Sequence, residues 1–149
     1  MIRPVLRDDA FIADVWSAAG DREHLHLWWL GQSGYLVQWQ GHHVLIDPYL
    51  SDSLTAKYAN TDKWHVRMSE RVVDPRRLDF VDLVTSSHAH TDHLDGETLR
   101  SIGGLKLLAP RASIELANER SGGKVAYASA CFRKSTIAHS TLEVTQKGP

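Results

Sequence analysis

Val84-Thr85-Ser86-Ser87-His88-Ala89-His90-Thr91-Asp92-His93-Leu94-Asp95 is an apolar lead-in that runs into three histidines and two aspartates. Val81, Leu83 and Val84 have the branched apolar side chains of a buried strand, and Asp95-Gly96-Glu97 offers a helix start, so the histidines fall in the loop between. Such loops are where function usually sits. Residues two apart in extended chain point the same way, so His88 and His90 can turn neutral imidazole nitrogens toward one divalent cation. Asp92 and His93 follow at once and, as the chain bends into the helix, can face a second position; paired ions stand about 3.5 to 4 Å apart in two-metal sites. A carboxylate beside imidazoles suits an open catalytic centre, whereas a closed structural one favours cysteine.

Around this stretch, length and composition describe one globular domain over residues 1–149. An apolar content of 42% and a net charge of −1 argue against disorder and give no electrostatic reason to expect nucleic acid or an anionic membrane as a partner. The single cysteine, Cys131, cannot form an internal disulfide, so a reducing, cytoplasmic setting is expected. The first residues do not read as a signal peptide, and no apolar run is long enough to cross a bilayer.

Asp8 or Asp9 can cap a first helix whose packing positions are Phe11, Ile12, Val15, Trp16 and Ala19, with Gly20 as its stop. Residues 25–47 read as an antiparallel meander of three strands. Leu25, Leu27 and Trp29 alternate with His24, His26 and Trp28, Gly31 and Gly34 bracket one turn, and Gly41 makes the next. Gly31-Gln32-Ser33-Gly34 lacks the third glycine and the following helix of a dinucleotide loop. His24, His26, His42 and His43 are expected on strand faces or in the turn, ligating nothing. Asp47 ends a buried strand before a proline, which suits a carboxylate that orients the metal loop from behind its ligands. In the polar segment 60–71, His65 and Arg67 suit an anionic group of a small-molecule substrate. Asp74-Pro75 caps a short helix, a strand follows over 80–86, and the remainder alternates helix 97–102, strand 105–109 and helix 110–120.

His88-Ala89-His90-Thr91-Asp92-His93 resembles the signature of the metallo-β-lactamase fold superfamily of hydrolases. Trp29-Leu30-Gly31-Gln32-Ser33-Gly34 and Leu45-Ile46-Asp47-Pro48-Tyr49-Leu50-Ser51-Asp52-Ser53 are similar to the branch that contains the L-ascorbate-6-phosphate lactonases, from which the chain departs at Trp64, where proline is expected. The resemblance implies an α/β fold, a metallo-β-lactamase-like αββα sandwich of which this chain holds about the first half, cut shortly after its third metal ligand. It also implies His139 as that third ligand, and no acidic residue except Glu143 follows to bridge the ions.

The function expected is a metal-dependent hydrolase that applies a metal-bound hydroxide to a lactone or phosphoester. His88, His90 and His139 would hold one ion, Asp92 and His93 the other, with Asp92 also taking up a proton. The cofactors are two divalent ions per complete site, zinc, manganese or iron. Two alternatives stand beside this reading: a phosphodiesterase of the same fold, and a non-catalytic metal-binding fragment. A sheet with one uncovered apolar face costs about 25 cal/mol for each Å² left wet, so a homo-oligomer is also expected.

Overall fold

The computed structural model describes residues 1–104, 106–124 and 126–129; His139, Cys131 and Glu143 lie outside the described residues. The expected meander forms as β1 (His26–Gly31), β2 (Gly34–Trp39) and β3 (His42–Ile46), paired antiparallel in chain order. The β2–β3 reversal is a two-residue turn with positive φ at both Gln40 (52°) and Gly41 (84°), the twist that tight hairpins demand.

Beyond β3 the sheet changes character. β4 (Leu83–Thr85), β5 (Lys106–Ala109) and β6 (Ala126–Ser129) add in parallel, so the described residues make one six-stranded mixed sheet in the order β1-β2-β3-β4-β5-β6. Parallel neighbours need crossovers. α3 (Gly96–Ile102) joins β4 to β5, and a 3₁₀ turn at Arg111–Ser113 followed by α4 (Ile114–Ser121) joins β5 to β6. The β3–β4 connection contains a helix that the sequence reading did not anticipate, α2 (Ser53–Tyr58).

Register shows where the core sits. Leu36, Leu45, Val84 and Leu107 are successive partners across four strands, all buried against Phe11 and Val15 of α1 (Asp8–Ala18), Leu99 and Ile102 of α3 and Ala117 of α4. The helices therefore cover one face of the sheet. The next row, Trp29, Tyr35 and Ile46, points the other way, and that face leaves Leu27 57%, Trp29 48% and Trp39 51% exposed. Antiparallel strands commonly leave one face to solvent, but that face is usually polar, so an exposed row of large apolar side chains is unusual. No described helix is long and apolar enough to cross a membrane.

Several local expectations hold and two need correction. Asp95 caps α3 by accepting from the amides of Glu97 and Thr98, and Asp74 caps the 3₁₀ turn Pro75–Arg77 by accepting from the amide of Arg76. At α1 the cap is Arg7, with Asp8 and Asp9 inside the first turn, where their negative charges complement the positive end of the helix dipole; Asp8 accepts from the Arg7 guanidinium at 3.2 Å. The buried stripe of α1 is Phe11, Val15 and Ala18. Trp16 is 51% exposed, its ring resting against Phe80 at 5.0 Å and against His43 at 6.1 Å between centroids.

Candidate metal centre

The histidine loop leaves the carboxyl end of β4, next to the carboxyl end of β3, the edge at which open α/β sheets carry their sites. The backbone there is tied across strands, because the Asp47 amide donates to the Thr85 carbonyl and the Ser86 amide to the Leu108 carbonyl. Asp47 is buried and has φ 45°, a left-handed conformation that aspartate tolerates better than most residues. That backbone turns its carboxylate toward the loop.

The carboxylate of Asp47 accepts the Ser87 amide on Oδ1 at 2.6 Å, and on Oδ2 the Ser87 hydroxyl at 2.6 Å and His93 Nδ1 at 2.8 Å. A charged acceptor at that distance holds the His93 proton on Nδ1, which leaves Nε2 with its lone pair. Ser87 has one hydroxyl proton, directed to Asp47, so its oxygen accepts from His88 Nδ1 at 3.0 Å. His88 Nε2 is thereby left with a lone pair as well. One aspartate and one serine fix the tautomers of two histidines, the arrangement by which outer groups orient metal ligands.

The four residues singled out by spacing do come together. The His88 ring lies 4.5 Å from that of His90 and 4.0 Å from that of His93, and Asp92 Oδ2 is 3.5 Å from His93 Nε2. Among the described residues, no three His, Cys, Asp or Glu side chains stand as they are in a geometry that holds an ion. The donor set nonetheless fits one: imidazoles and a carboxylate on one loop suit a divalent cation.

The loop is braced from outside. Ser33, in the β1–β2 turn, donates to the Asp92 carbonyl at 2.7 Å, and the Ser86 hydroxyl donates to the His88 carbonyl at 2.9 Å. Arg120 of α4 donates through Nη1 to the carbonyls of Ala89 at 2.8 Å and Leu94 at 3.0 Å, stapling the two ends of the loop. A cavity of about 320 Å³ adjoins it, with Lys57 and Tyr58 of α2, His90 and Asp92 of the loop, and Arg120 in its wall.

Arg67 and His65 stand elsewhere. Arg67 is 5% exposed and donates to the carbonyls of Ser69, Tyr49 and Ser51, which ties down the segment that follows Asp47. The His65 ring lies edge-on to Tyr49, 6.4 Å between centroids. Among the described residues, the cations beside the loop are Lys57 and Arg120. Sequence reasoning missed both because Arg120 ends a helix to which no role was assigned and Lys57 sits on a helix that was not read at all. The Asp52-Ser53-Leu54 helix start was the available signal for α2.

A family model described as a beta-lactamase superfamily domain matches residues 26–147. An uncharacterized protein of Mycobacterium tuberculosis is 33% identical over 87 residues, covering 58% of this chain and 23% of the relative. A UPF0173 metal-dependent hydrolase of Polynucleobacter asymbioticus is 31% identical over 97 residues, covering 62% of this chain and 30% of that protein. Among solved structures, an isothiocyanate hydrolase from Delia radicum gut bacteria superposes with a TM-score of 0.50 at 20% identity, over 69% of this chain and 40% of the other. A protein of Veillonella parvula, described as a possible metal-dependent hydrolase, gives 0.51 at 22% identity over 71% and 42%. At those identities the likeness is one of fold, and the matched part spans well under half the length of each relative.

Proposed function

The chain belongs to the beta-lactamase superfamily, and from that premise we propose that the protein is a metal-dependent hydrolase whose 88–93 loop binds the ions. One observation carries the reading: Asp47 and Ser87 engage Nδ1 of His93 and of His88, which leaves Nε2 of both rings available as donors, with Asp92 Oδ2 3.5 Å from His93 Nε2. A histidine-rich surface loop has no need of such backing. The name of the Polynucleobacter relative, a metal-dependent hydrolase, supports the same reading.

A divalent ion bound here supplies a Lewis acid, lowers the pKa of a coordinated water toward about 7 and polarises the oxygen of the scissile bond. The chain's own residues supply the rest. His88, His90 and His93 are the nitrogen donors, with His139 added by resemblance. Asp92 would serve as a carboxylate donor and take up the proton released from water. Ser33 and Arg120 keep the loop in place through its carbonyls. The substrates proposed are lactones or phosphoesters, and zinc, manganese and iron all suit the donors.

The test is metal content by mass spectrometry on the purified protein and on the double variant His88→Ala/His90→Ala, followed by parallel assays of lactones and phosphodiesters. About one or two ions per chain are expected in the parent, and a clear loss in the variant. Equal metal in both proteins would overturn the assignment. Turnover of one substrate class alone would separate lactonase from phosphodiesterase.

A further inference from the structure

The sheet face turned away from the helices is apolar across β1 to β5. Leu27, Val37, Val44 and Leu83 are successive partners over β1 to β4, and Trp29, Tyr35, Ile46, Thr85 and Leu108 over β1 to β5. Trp39 extends the patch along β2, and His42 and Lys106 stand at its margins. Leu27, Trp29, Tyr35, Trp39 and Ile46 are exposed, while Val37, Val44, Leu83 and Leu108 are half-buried. Aromatic side chains carry about 150 to 250 Å² each, so these three and the aliphatic groups around them offer on the order of 600 Å² to a partner. That is the upper end of what a monomer's largest apolar patch shows, and about one partner's share of a small specific interface.

The relief of this face says what fits it. Its bulk lies on one side, because Trp29, Tyr35 and Trp39 stand on β1 and β2, whereas β4 and β5 present Leu83, Thr85 and Leu108. Five strands make the patch about 19 Å wide, so a single helix of about 10 Å diameter would leave half of it wet. A second sheet covers it whole. We propose that the face is the interface of a homodimer whose two-fold axis runs along β3, midway between two stacked sheets. β1 of each copy then faces β5 of the other, and β2 faces β4. Trp29 meets Leu108 and Tyr35 meets Thr85, large against small, at the roughly 10 Å spacing of packed sheets. Lys106 falls opposite Leu27 of the second copy, where its stem covers apolar surface and its ammonium reaches solvent, so no like charges meet. An axis across the strands would instead stack aromatic on aromatic and leave a gap over Leu108. An axis along the strands also preserves their direction, so the two metal loops stand at the same end of the dimer.

The experiment is sedimentation velocity over a concentration series of the purified chain, with circular dichroism on the same samples. The parent is expected to be a dimer at micromolar concentration. Trp29→Glu should dissociate at least about tenfold more readily with an unchanged spectrum, and Trp39→Glu should act in the same direction where W29E does not fold. Val5→Glu, at a fully exposed apolar position outside the sheet, should leave the dimer as it is. The axis is read by disulfide trapping in a Cys131→Ser background. A mixture of Leu27→Cys and Lys106→Cys chains should cross-link to each other, whereas Leu27→Cys chains that cross-link among themselves would overturn the arrangement. A parent that stays monomeric at hundreds of micromolar, or a dimer that W29E and W39E both leave intact, would overturn the interface. Two further measurements on such a monomer name the occupant that replaces the second copy. Sedimentation with phosphatidylcholine vesicles gives the face to a lipid surface, and a Leu27→Cys thiol that resists alkylation gives it to another part of the same chain.

Discussion

Asp47→Asn is the most informative single change, because it keeps the shape and removes only the acceptor capacity on which the loop depends. The native carboxylate accepts three times: from the Ser87 amide, the Ser87 hydroxyl and His93 Nδ1, at 2.6, 2.6 and 2.8 Å. An amide retains one acceptor oxygen. With that oxygen on the Ser87 amide, the NH₂ group faces the other two partners. Ser87 adapts by rotating its hydroxyl to accept, but His93 must move its proton from Nδ1 to Nε2, the nitrogen a cation needs. Loss of such a backing group costs about 10- to 100-fold in metal affinity, or about 1.4 to 2.7 kcal/mol. Stability falls by a smaller amount, about 1 to 2 kcal/mol, since the asparagine oxygen keeps the Ser87 amide bond and the Ser87 hydroxyl adapts by rotation. Asparagine also accepts the left-handed backbone at φ 45°, whereas alanine would add strain of its own and blur the result. Competition against a chromophoric chelator gives the affinity, and nitrogen-15 shifts of the His93 ring give the tautomer. Unchanged affinity, or a His93 ring that stays protonated on Nδ1 in the variant, would refute the argument.

Two further outcomes follow from the fold. Gly31 has φ 88°, and a Cβ there would collide with Ser69 Oγ, so Gly31→Ala should cost about 2 to 4 kcal/mol in urea unfolding. Adding Ser69→Ala removes the hydroxyl but not the backbone strain, and should return part of that loss; strict additivity of the two changes would contradict the close approach. Burial between Trp16 and Phe80 pushes the pKa of His43 below its ordinary value, against a smaller upward pull from Asp82. The unfolded chain therefore binds the proton more readily, so His43 contributes stability that is present above about pH 6.5 and is lost as the pH falls, at up to about 1.4 kcal/mol per unit, until its lower folded pKa is reached. His43→Leu should flatten that part of the stability profile measured between neutral and mildly acid pH; an unchanged slope would show that His43 does not set it.

The parts of this structure legible in the sequence are those fixed by local chemistry. Gln40-Gly41 between two alternating runs specifies a hairpin, Asp95 before Gly96 specifies a helix start, and His-x-His-x-Asp-His in one loop brings its own side chains together because so few bonds separate them. The illegible parts depend on partners far away in the chain. β1 carries large apolar residues on both faces, Trp28 and Leu30 toward the helices and Leu27 and Trp29 away from them, so alternation alone does not say which row is core. Arg67 reads as a substrate contact until tertiary structure surrounds it with the carbonyls of Tyr49, Ser51 and Ser69. α2 is six residues long with only Leu54 buried, too little periodicity to register, yet it carries Lys57 to the loop.

How the site is held follows from the sheet's change of direction. An antiparallel meander alone would place the end of β3 beside turns of its own hairpins. Because β4 joins β3 in parallel, the ends of both strands arrive together, and the Asp47 amide can bond the Thr85 carbonyl. That one bond sets the height of Asp47 relative to Ser87, two residues beyond Thr85, and so brings the carboxylate to the amide, the hydroxyl and the His93 ring at once. The remaining braces come from separate places in the chain, Ser33 from the first turn and Arg120 from the last described helix, and each grips the loop by its carbonyls. On the proposed reading the ligand side chains are thus left to the ion while the backbone is fixed by the scaffold, a division that would let a short loop present several donors with little entropy left to lose on binding.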